Sequence, residues 1–501
     1  MRRTVRGATG TALACVTSLL ITGVAAAAPA PGSAGIGDPY YPNAGNGGYD
    51  VSHYDIRLTY QPATDVLAGT TTITATTTQE LSRFDLDFGL KVTSVLVNNV
   101  PATFSANAAG DGELIVTPAK SLAKGQSITV VVAYSDRPST VQIDGENGWT
   151  KLPDGALGVN EPQSAAWWYP SNDHPTDKAT FDVSVEVPDG VAALSNGTLL
   201  RTSKTRAGWT RWSWRSTKPQ ATYLTSLEVG KFEVNQQVSP DGKPFVTAYS
   251  ANLGDTYGAA KASIERTPEI LDFLSSQFGP YPFEAEGGVA TTGIGFALEN
   301  QTRPVYGSRI FAFGSNASVV AHENAHQWFG DNVSVGRWSD IWLNEGFATY
   351  AQYLWSDHVG EGTPAELAQY VYDLHPADDP FWQVLPGDPS PAKQFDGAVY
   401  DRGAAAIQAL RTLVGDDAFF TILRTWQQTR GYSTGRISDF TALAEKISGK
   451  PVYSLLQTWL YTAGKPAVGP NGATARLAAA KEPKSYKEIR TALDFISGKL
   501  K

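Results

Sequence analysis

The motif H-E-x-x-H at residues 322–326, followed by N-E-G at residues 344–346, constrains this chain more than any other part of its sequence. Residues four apart lie on one face of an α-helix, so His322 and His326 can direct both imidazoles at one point if the motif is helical. Imidazole nitrogens and carboxylate oxygens are ligands of Zn²⁺, and a catalytic zinc keeps its fourth position for water. The sequence therefore predicts a helix here and one zinc ion held by His322, His326 and Glu345.

Glu323 follows the first histidine directly, so its carboxylate can face a water in the fourth position without binding the metal. This placement predicts that Glu323 is the general base of a hydrolytic reaction. The alternative is a chance match on an ordinary amphipathic helix. The chain has only six histidines, so two at this spacing around a glutamate, with a further acid in N-E-G, favour the zinc site.

Length and charge narrow the class of protein. The chain has 501 residues, enough for two or three domains, and 42% of them are hydrophobic, as in an ordinary globular protein. Its net charge is −9. A negative balance argues against a nucleic-acid partner and against binding to an anionic membrane surface.

The first residues have the pattern of a secretory signal peptide. Three arginines precede a mostly apolar run at residues 11–24, and small residues follow at 25–28. We expect cleavage near residue 28 and export of the mature chain, with no stable membrane insertion afterwards. A membrane anchor is the alternative, but the apolar run is short for a span. The single cysteine, Cys15, would leave with the signal peptide.

Composition and hydrophobic spacing divide the rest of the chain into four segments. Residues 29–48 are rich in Pro, Gly and Asn and predict a flexible arm. Residues 49–238 contain alternating and β-branched runs separated by turn residues, which predict an antiparallel β domain. Residues 239–466 have mostly helical spacing. Residues 467–501 form a basic tail of unknown role, in which residues 485–496 could form one helix.

Hydrophobic spacing and capping residues predict the helices of the second domain. Asn316 or Ser318 can cap the H-E-x-x-H helix, Gly330 can end it, and Ser339 can cap the helix that carries Glu345. The predicted helices span residues 259–278, 318–329, 340–355, 403–413, 417–429, 438–447 and 451–461.

With these residues identified, the chain resembles the aminopeptidase N-like gluzincins, the family that also includes leukotriene A4 hydrolase. The resemblance covers residues 38–466. It implies an α+β multidomain fold, with an N-terminal antiparallel β-saddle domain followed by a thermolysin-like, mostly helical zinc catalytic domain. The motifs that carry the resemblance are residues 321–351, W-Y-P-S-N-D-H-P at 168–175 and Y-D-R-G-A at 400–404.

The resemblance also implies roles for three further residues. Tyr400 matches the family's catalytic tyrosine and would donate a hydrogen bond to the oxyanion. Glu299 lies in F-A-L-E-N at residues 296–300, where the family usually has G-x-M-E-N, so the acid is kept while Phe and Leu replace Gly and Met. Glu299, helped by Glu161, would bind the α-ammonium group of a peptide substrate through charge-assisted hydrogen bonds.

These expectations combine into a secreted zinc-dependent aminopeptidase that acts on peptides with a free N-terminus. Two other enzymatic functions are alternatives: a thermolysin-like endopeptidase and, by family analogy alone, an epoxide hydrolase. A third class is a metal-bound, non-catalytic binding protein. The two substrate-binding acids argue against the endopeptidase, and Glu323 with Tyr400 argues against the binding protein. The preferred first residue, the natural substrate and the oligomeric state stay open.

Overall fold

This computed structural model describes residues 28–106, 110–472 and 481–496, together with residues 1, 4 and 7. The predicted signal peptide therefore lies almost entirely outside the described residues. Within the described ranges, no helix combines the length and the apolar character that crossing a bilayer requires.

The N-terminal part of the chain is a β domain, as the sequence predicts. Its strands are β1 (Ala30–Pro31), β2 (Tyr49–Gln61), β3 (Val66–Thr77), β4 (Leu81–Asp87), β5 (Val92–Val97), β6 (Val100–Pro101), β7 (Thr103–Ala106), β8 (Glu113–Thr117), β9 (Ser127–Asp136), β10 (Thr150–Lys151), β11 (Ala156–Gly158), β12 (Ala179–Pro188), β13 (Ala192–Leu194), β14 (Thr198–Arg206), β15 (Trp209–Gln220) and β16 (Leu227–Gly230).

An eight-stranded sheet, ordered β14-β15-β12-β2-β3-β9-β5-β6, is the framework of this domain. In β2 the side chains of Ile56, Leu58 and Tyr60 are buried, while the residues between them face outward. This period of two places one apolar face of the strand on the core. The sheet is mixed, because β2 pairs in parallel with β12 and antiparallel with β3.

The second part of the chain is mostly helical and carries one larger sheet, ordered β17-β18-β19-β21-β20. Its elements, in chain order, are β17 (Phe232–Val238), β18 (Pro244–Ser250), α1 (Tyr257–Ile264), α2 (Thr267–Phe278), β19 (Glu286–Thr291), β20 (Ala297–Leu298), β21 (Val305–Gly307), α3 (Ala317–Ala325), β22 (Val333–Val335), α4 (Trp342–His358), α5 (Pro364–Leu374), α6 (Gly397–Val414), α7 (Asp416–Arg430), β23 (Ser433–Gly435), α8 (Ile437–Ser448), α9 (Val452–Tyr461) and α10 (Tyr486–Ile496). The sheet begins at Phe232, a few residues before the expected boundary at 238.

The helices of the structure differ from the predicted ones at several points. The helix expected over residues 259–278 is two helices, α1 and α2, and Pro268 lies in the first turn of α2. Proline lacks the N–H and restricts the residue before it, so an uninterrupted helix through this point is disfavoured. Helix α5, which the sequence analysis did not predict, begins with a capping box in which Thr363 and Glu366 each bond the other's backbone N–H.

Residues 29–48, expected as a flexible arm, contact both domains in the structure. Strand β1 pairs with β4, and the Asp38 carboxylate is buried. It accepts a hydrogen bond from the Trp338 backbone N–H at 2.8 Å and contacts His174 Nε2 at 3.2 Å. Because His174 belongs to the β domain and Trp338 to the helical domain, the arm joins the two. The Pro and Gly residues of this segment suit an irregular backbone, and its buried polar contacts are not encoded by any local pattern.

The interface between the two domains is both apolar and polar. One hydrophobic cluster combines β-domain residues, such as Trp214, with residues of the second domain, such as Val289. The buried Arg303 guanidinium donates to the Gly197 carbonyl at 2.9 Å and lies 4.7 Å from the Trp214 ring centroid. Partly buried Lys178 donates to the Asp331 carbonyl at 2.6 Å. These contacts give the β domain a fixed position beside the helices that carry the site.

Candidate metal centre and substrate cavity

Helix α3 presents the two histidines as the sequence predicts. The Asn316 side chain caps it by accepting a hydrogen bond from the Val319 N–H at 2.8 Å. The α-helix ends at Ala325, earlier than predicted, but His326 keeps helical backbone angles and its N–H contacts the His322 carbonyl at 3.3 Å. Both imidazoles therefore leave the same face of one continuous turn.

Helix α4 brings Glu345 to that face. The sequence predicts Ser339 as the cap of this helix, but the structure differs. A 3-10 turn at Trp338–Asp340 leads directly into the helix, and Ile341 takes the cap position without a side-chain bond. Glu345 lies in the first turn of α4, where the helix dipole favours a carboxylate. The packing of α4 against α3 thus supplies the third ligand.

The three ligand groups have the geometry of a tetrahedral metal site. Glu345 Oε2 lies 3.4 Å from His322 Nε2 and 3.5 Å from His326 Nε2. Ligands about 2.1 Å from a tetrahedral ion lie roughly 3.4 Å from one another. All three side chains are buried, and their ligand atoms lie within 4.8 Å of each other. The residues present therefore fit a zinc ion.

Hydrogen bonds on the far side of each imidazole orient the ligands. His322 Nδ1 lies 3.1 Å from Gln352 Oε1, and His326 Nδ1 lies 3.0 Å from the Phe329 carbonyl. Both acceptors require an N–H at Nδ1, so Nε2 of each ring is left free to bind a metal. Gln352 is itself held by its amide N–H, which donates to Ser318 Oγ at 3.0 Å.

Glu323 and Tyr400 lie on opposite elements of one cavity beside the ligands. This cavity has a volume of about 280 Å³, and both side chains line it. The Tyr400 ring lies 6.0 Å from the His322 ring, centroid to centroid. Among the described residues, Glu323 Oε1 is buried without a hydrogen-bond partner. A buried carboxylate oxygen of this kind suits a water or a substrate amine.

The two predicted substrate-binding acids line the same cavity. Glu299 follows β20, the edge strand of its sheet, and Tyr223 of the β domain donates a hydrogen bond to its Oε1 at 3.2 Å. Glu161 comes from the β domain, and its buried Oε1 has no partner among the described residues. Phe296, which departs from the family motif, forms part of the cavity wall. The structure thus brings both acids to the metal ligands from different domains.

The cavity brings four carboxyl groups together. Glu161, Glu299, Glu323 and Glu345 all line it, and no Lys or Arg does among the residues that the structure describes. Burial raises the pKa of Glu161 and Glu323, and the neighbouring carboxylates raise both further. Burial likewise raises the pKa of Glu299. Such a site favours cations, both a metal ion and a positively charged substrate group.

Electrostatics separate the roles of the remaining groups. Burial would raise the pKa of Glu345, but His326 and His322 outweigh it and hold this pKa at about 2, so the group is ionised, as binding to a metal requires. Burial and the surrounding carboxylates raise the pKa of Tyr400 well above its ordinary value. Tyr400 therefore keeps its O–H at neutral pH and can donate a hydrogen bond.

Sequence reasoning missed three residues of the site. Gln352, which orients His322, lies seven residues after Glu345, and this i, i+7 spacing on one helix was a usable signal. Tyr223 bonds Glu299 from the other domain, and no local pattern points to it. Phe395 lines the cavity from the segment before α6, again without a sequence signal.

A β domain followed by a helical domain, with a two-histidine, one-glutamate metal set on two packed helices, defines a two-domain zinc metallopeptidase fold. Comparison with known families agrees. The Peptidase M1 N-terminal domain matches residues 51–224, and the Peptidase family M1 domain matches residues 263–459. The chain belongs to peptidase family M1.

Individual relatives support the same family. Glutamyl aminopeptidase of Rattus norvegicus is 30% identical over 348 residues, which cover 65% of this chain and 36% of the relative. Aminopeptidase M1 of Arabidopsis thaliana is 29% identical over 331 residues, 62% of this chain and 37% of the relative. The chain therefore spans little more than a third of the length of these curated relatives.

Solved structures match over more of their length. The M1 zinc metallopeptidase from Deinococcus radiodurans has a TM-score of 0.76 and 29% identity, and the match covers 86% of this chain and 98% of that one. A mutant of that enzyme bound to a Tyr-Ser-Ala substrate has a TM-score of 0.77 at the same identity, with 86% and 99% covered. The predicted fold class and family are confirmed.

Proposed function

We propose that this protein is a zinc-dependent aminopeptidase that removes N-terminal residues from peptides. The observation that carries the proposal is the pair Glu161 and Glu299, which lines the same cavity as the three metal ligands. A carboxylate pair beside the reacting bond favours a terminal ammonium over a continuing peptide chain. The names of the M1 relatives support this activity.

When bound by His322, His326 and Glu345, zinc would polarise the scissile carbonyl and increase the acidity of the attacking water. The protein's own residues complete the reaction. Glu299 and Glu161 hold the substrate ammonium and so fix the first peptide bond near the ligands. Glu323 accepts the proton of the attacking water and delivers it to the leaving amine nitrogen. Tyr400 donates its O–H to the oxyanion of the tetrahedral intermediate.

The experiment that tests this proposal compares matched peptides with free and N-acetylated termini. We expect rapid cleavage of the free peptide and almost none of the acetylated one, because acetylation removes the charge and leaves buried carboxylates facing a neutral group. Glu299→Ala should strongly reduce cleavage of the free peptide and leave the residual cleavage of the acetylated peptide unchanged. Comparable cleavage of both peptides by the wild type would point instead to an endopeptidase.

The same recognition predicts a pH dependence. The free α-amino group has an ordinary pKa of about 7.7–8.0, so it loses its positive charge as the pH rises above that range. We expect KM to rise with alkaline pH for the free peptide. A flat KM from pH 7 to 9.5, measured with an enzyme that keeps its zinc, would contradict recognition of the ammonium.

We also propose that the protein is exported, with the signal peptide removed near residue 28. The support is the basic, apolar and small-residue order of the first residues. Sequencing the N-terminus of protein recovered from outside the producing cells tests this. An intact first segment on active, cell-retained protein would contradict it.

A further inference from the structure

Helix α10 lies beyond the part of the chain that the family comparisons match, which ends at residue 459. It nevertheless packs on the catalytic domain. Ile489 and Leu493 are 1% and 2% exposed and belong to the main core of that domain. The Tyr486 ring packs edge-on against Tyr370, with centroids 4.6 Å apart. A helix buried in this way has a fixed position relative to its neighbours.

Polar contacts attach α10 to the helix that carries the metal ligands. Glu488 Oε1 accepts a hydrogen bond from the Ser318 N–H in the first turn of α3, at 3.1 Å. The Asn316 side chain donates to the Glu488 carbonyl at 3.2 Å. Ser485 Oγ lies 2.6 Å from Ser356 Oγ on α4. These bonds use specific atoms on α3 and α4, so α10 docks in one register.

From that register, α10 reaches the residue next to Tyr400. Arg490 Nη1 lies 2.9 Å from Asp401 Oδ2, and the Asp401 side chain is 3% exposed. The other terminal nitrogen of Arg490 lies 2.9 Å from Asp494 Oδ1, one turn further along α10. Arg490 therefore links α10 to α6 through a buried carboxylate and also pairs with Asp494 on its own helix.

Arg402, on the other side of Asp401, gives α6 its second anchor. Its buried guanidinium donates to the carbonyls of Trp459 at 2.8 Å and Val384 at 2.9 Å. Tyr400 projects from the same turn into the cavity. The distance from its hydroxyl to a bound substrate therefore depends on how α6 is rotated and placed. Asp401 and Arg402 are two adjacent residues that anchor this turn of α6 to neighbouring elements.

We propose that Arg490 is a positioning residue that holds Tyr400 in its catalytic position through Asp401. The inference rests on the proposed function, because it requires that the Tyr400 hydroxyl acts in the reaction. It assigns to the C-terminal helix a part in catalysis, which the cavity lining alone does not reveal. A misplacement of about 1 Å at a reacting group can cost on the order of 100-fold in rate.

The test is a double-mutant cycle in the full-length, zinc-loaded enzyme. We expect Arg490→Gln to lower kcat about 10-fold with KM changed less than about 2-fold, because the oxyanion contact forms after the substrate binds. Tyr400→Phe should lower kcat further. In the Tyr400→Phe background, Arg490→Gln should have almost no additional effect, since the two residues act as one unit. Melting temperature and zinc content are measured for every variant.

Asp494→Asn is the matched control, because it removes the other ion pair of Arg490 and leaves the Asp401 contact in place; its kcat should stay within about 2-fold of wild type. If the fold-losses in kcat of the two single variants multiply in the double variant, the inference is overturned while the proposed function stays intact. A wild-type kcat for Arg490→Gln would do the same. A wild-type kcat for Tyr400→Phe would overturn the catalytic role of Tyr400 itself, and with it the inference.

Discussion

At the scale of single residues, the site is characterised by four glutamates whose neighbours differ. Four glutamates share a cavity without a lysine or arginine among the described residues that line it, yet each has a different neighbour. Glu345 faces two imidazoles and fits the role of a metal ligand, whereas Glu323 lies beside this set and has one carboxylate oxygen without a partner among the described residues. The same side-chain type thus serves two purposes, because surroundings rather than composition decide its protonation.

Glu323→Gln is the direct test of the general base. The amide keeps the size of the side chain but cannot accept the proton, so we expect zinc to stay bound and kcat to fall by at least about 10²–10⁴-fold. Metal analysis and steady-state kinetics on the same sample check both halves. Glu482→Gln, at an exposed position, is the control. A near-normal kcat at full zinc occupancy would remove Glu323 from the mechanism.

Among the elements, the pair α3 and α4 carries all three predicted ligands. Local sequence predicts both helices, because the Asn316 cap and the i, i+4 histidines act within one chain segment. Their exact ends were not predictable, since a 3-10 turn replaces the expected Ser339 cap. The tertiary contact between them is maintained partly by Gln352, which bonds His322 and Ser318.

Gln352→Ala tests this support. Loss of the hydrogen bond that orients a metal-binding histidine typically costs 10–100-fold in metal affinity, and we expect a loss of about that size here. Competition with a chelator of known affinity measures it without any enzyme assay. Gln428→Ala, at an exposed position on α7, serves as the comparison. An unchanged zinc affinity would show that His322 keeps its orientation by other contacts.

For the whole molecule, the N-terminal arm is the clearest link between domains. Burial raises the pKa of Asp38, but hydrogen bonds from His174, Trp338 and two neighbouring backbone N–H groups outweigh this, and the pKa lies below its ordinary value of 3.8. A carboxyl whose pKa is lower in the folded state stabilises the fold above its unfolded pKa, about 3.9, and this contribution is lost as pH falls through the folded pKa.

We therefore expect Asp38→Ala to reduce the free energy of unfolding by about 3 kcal/mol at neutral pH, since at least two buried hydrogen bonds to a charged group are lost. The difference from wild type should shrink below about pH 4, where Asp38 becomes protonated. Denaturant unfolding at a series of pH values measures both effects. Asp378→Ala removes an exposed acid for comparison. A difference independent of pH would contradict the charged state of Asp38.

Short-range sequence patterns predicted the three residues of the metal set, the adjacent Glu323 and the order of a β domain before a helical one. These follow from short-range periodicity and capping, which act within a few residues. Three contacts are visible only in the tertiary structure: Tyr223 bonds Glu299, Asp38 bonds Trp338 of the second domain, and Arg490 pairs with Asp401. These contacts join residues far apart in the chain, so no local pattern records them, and each is strengthened only after folding has lowered the local dielectric around it.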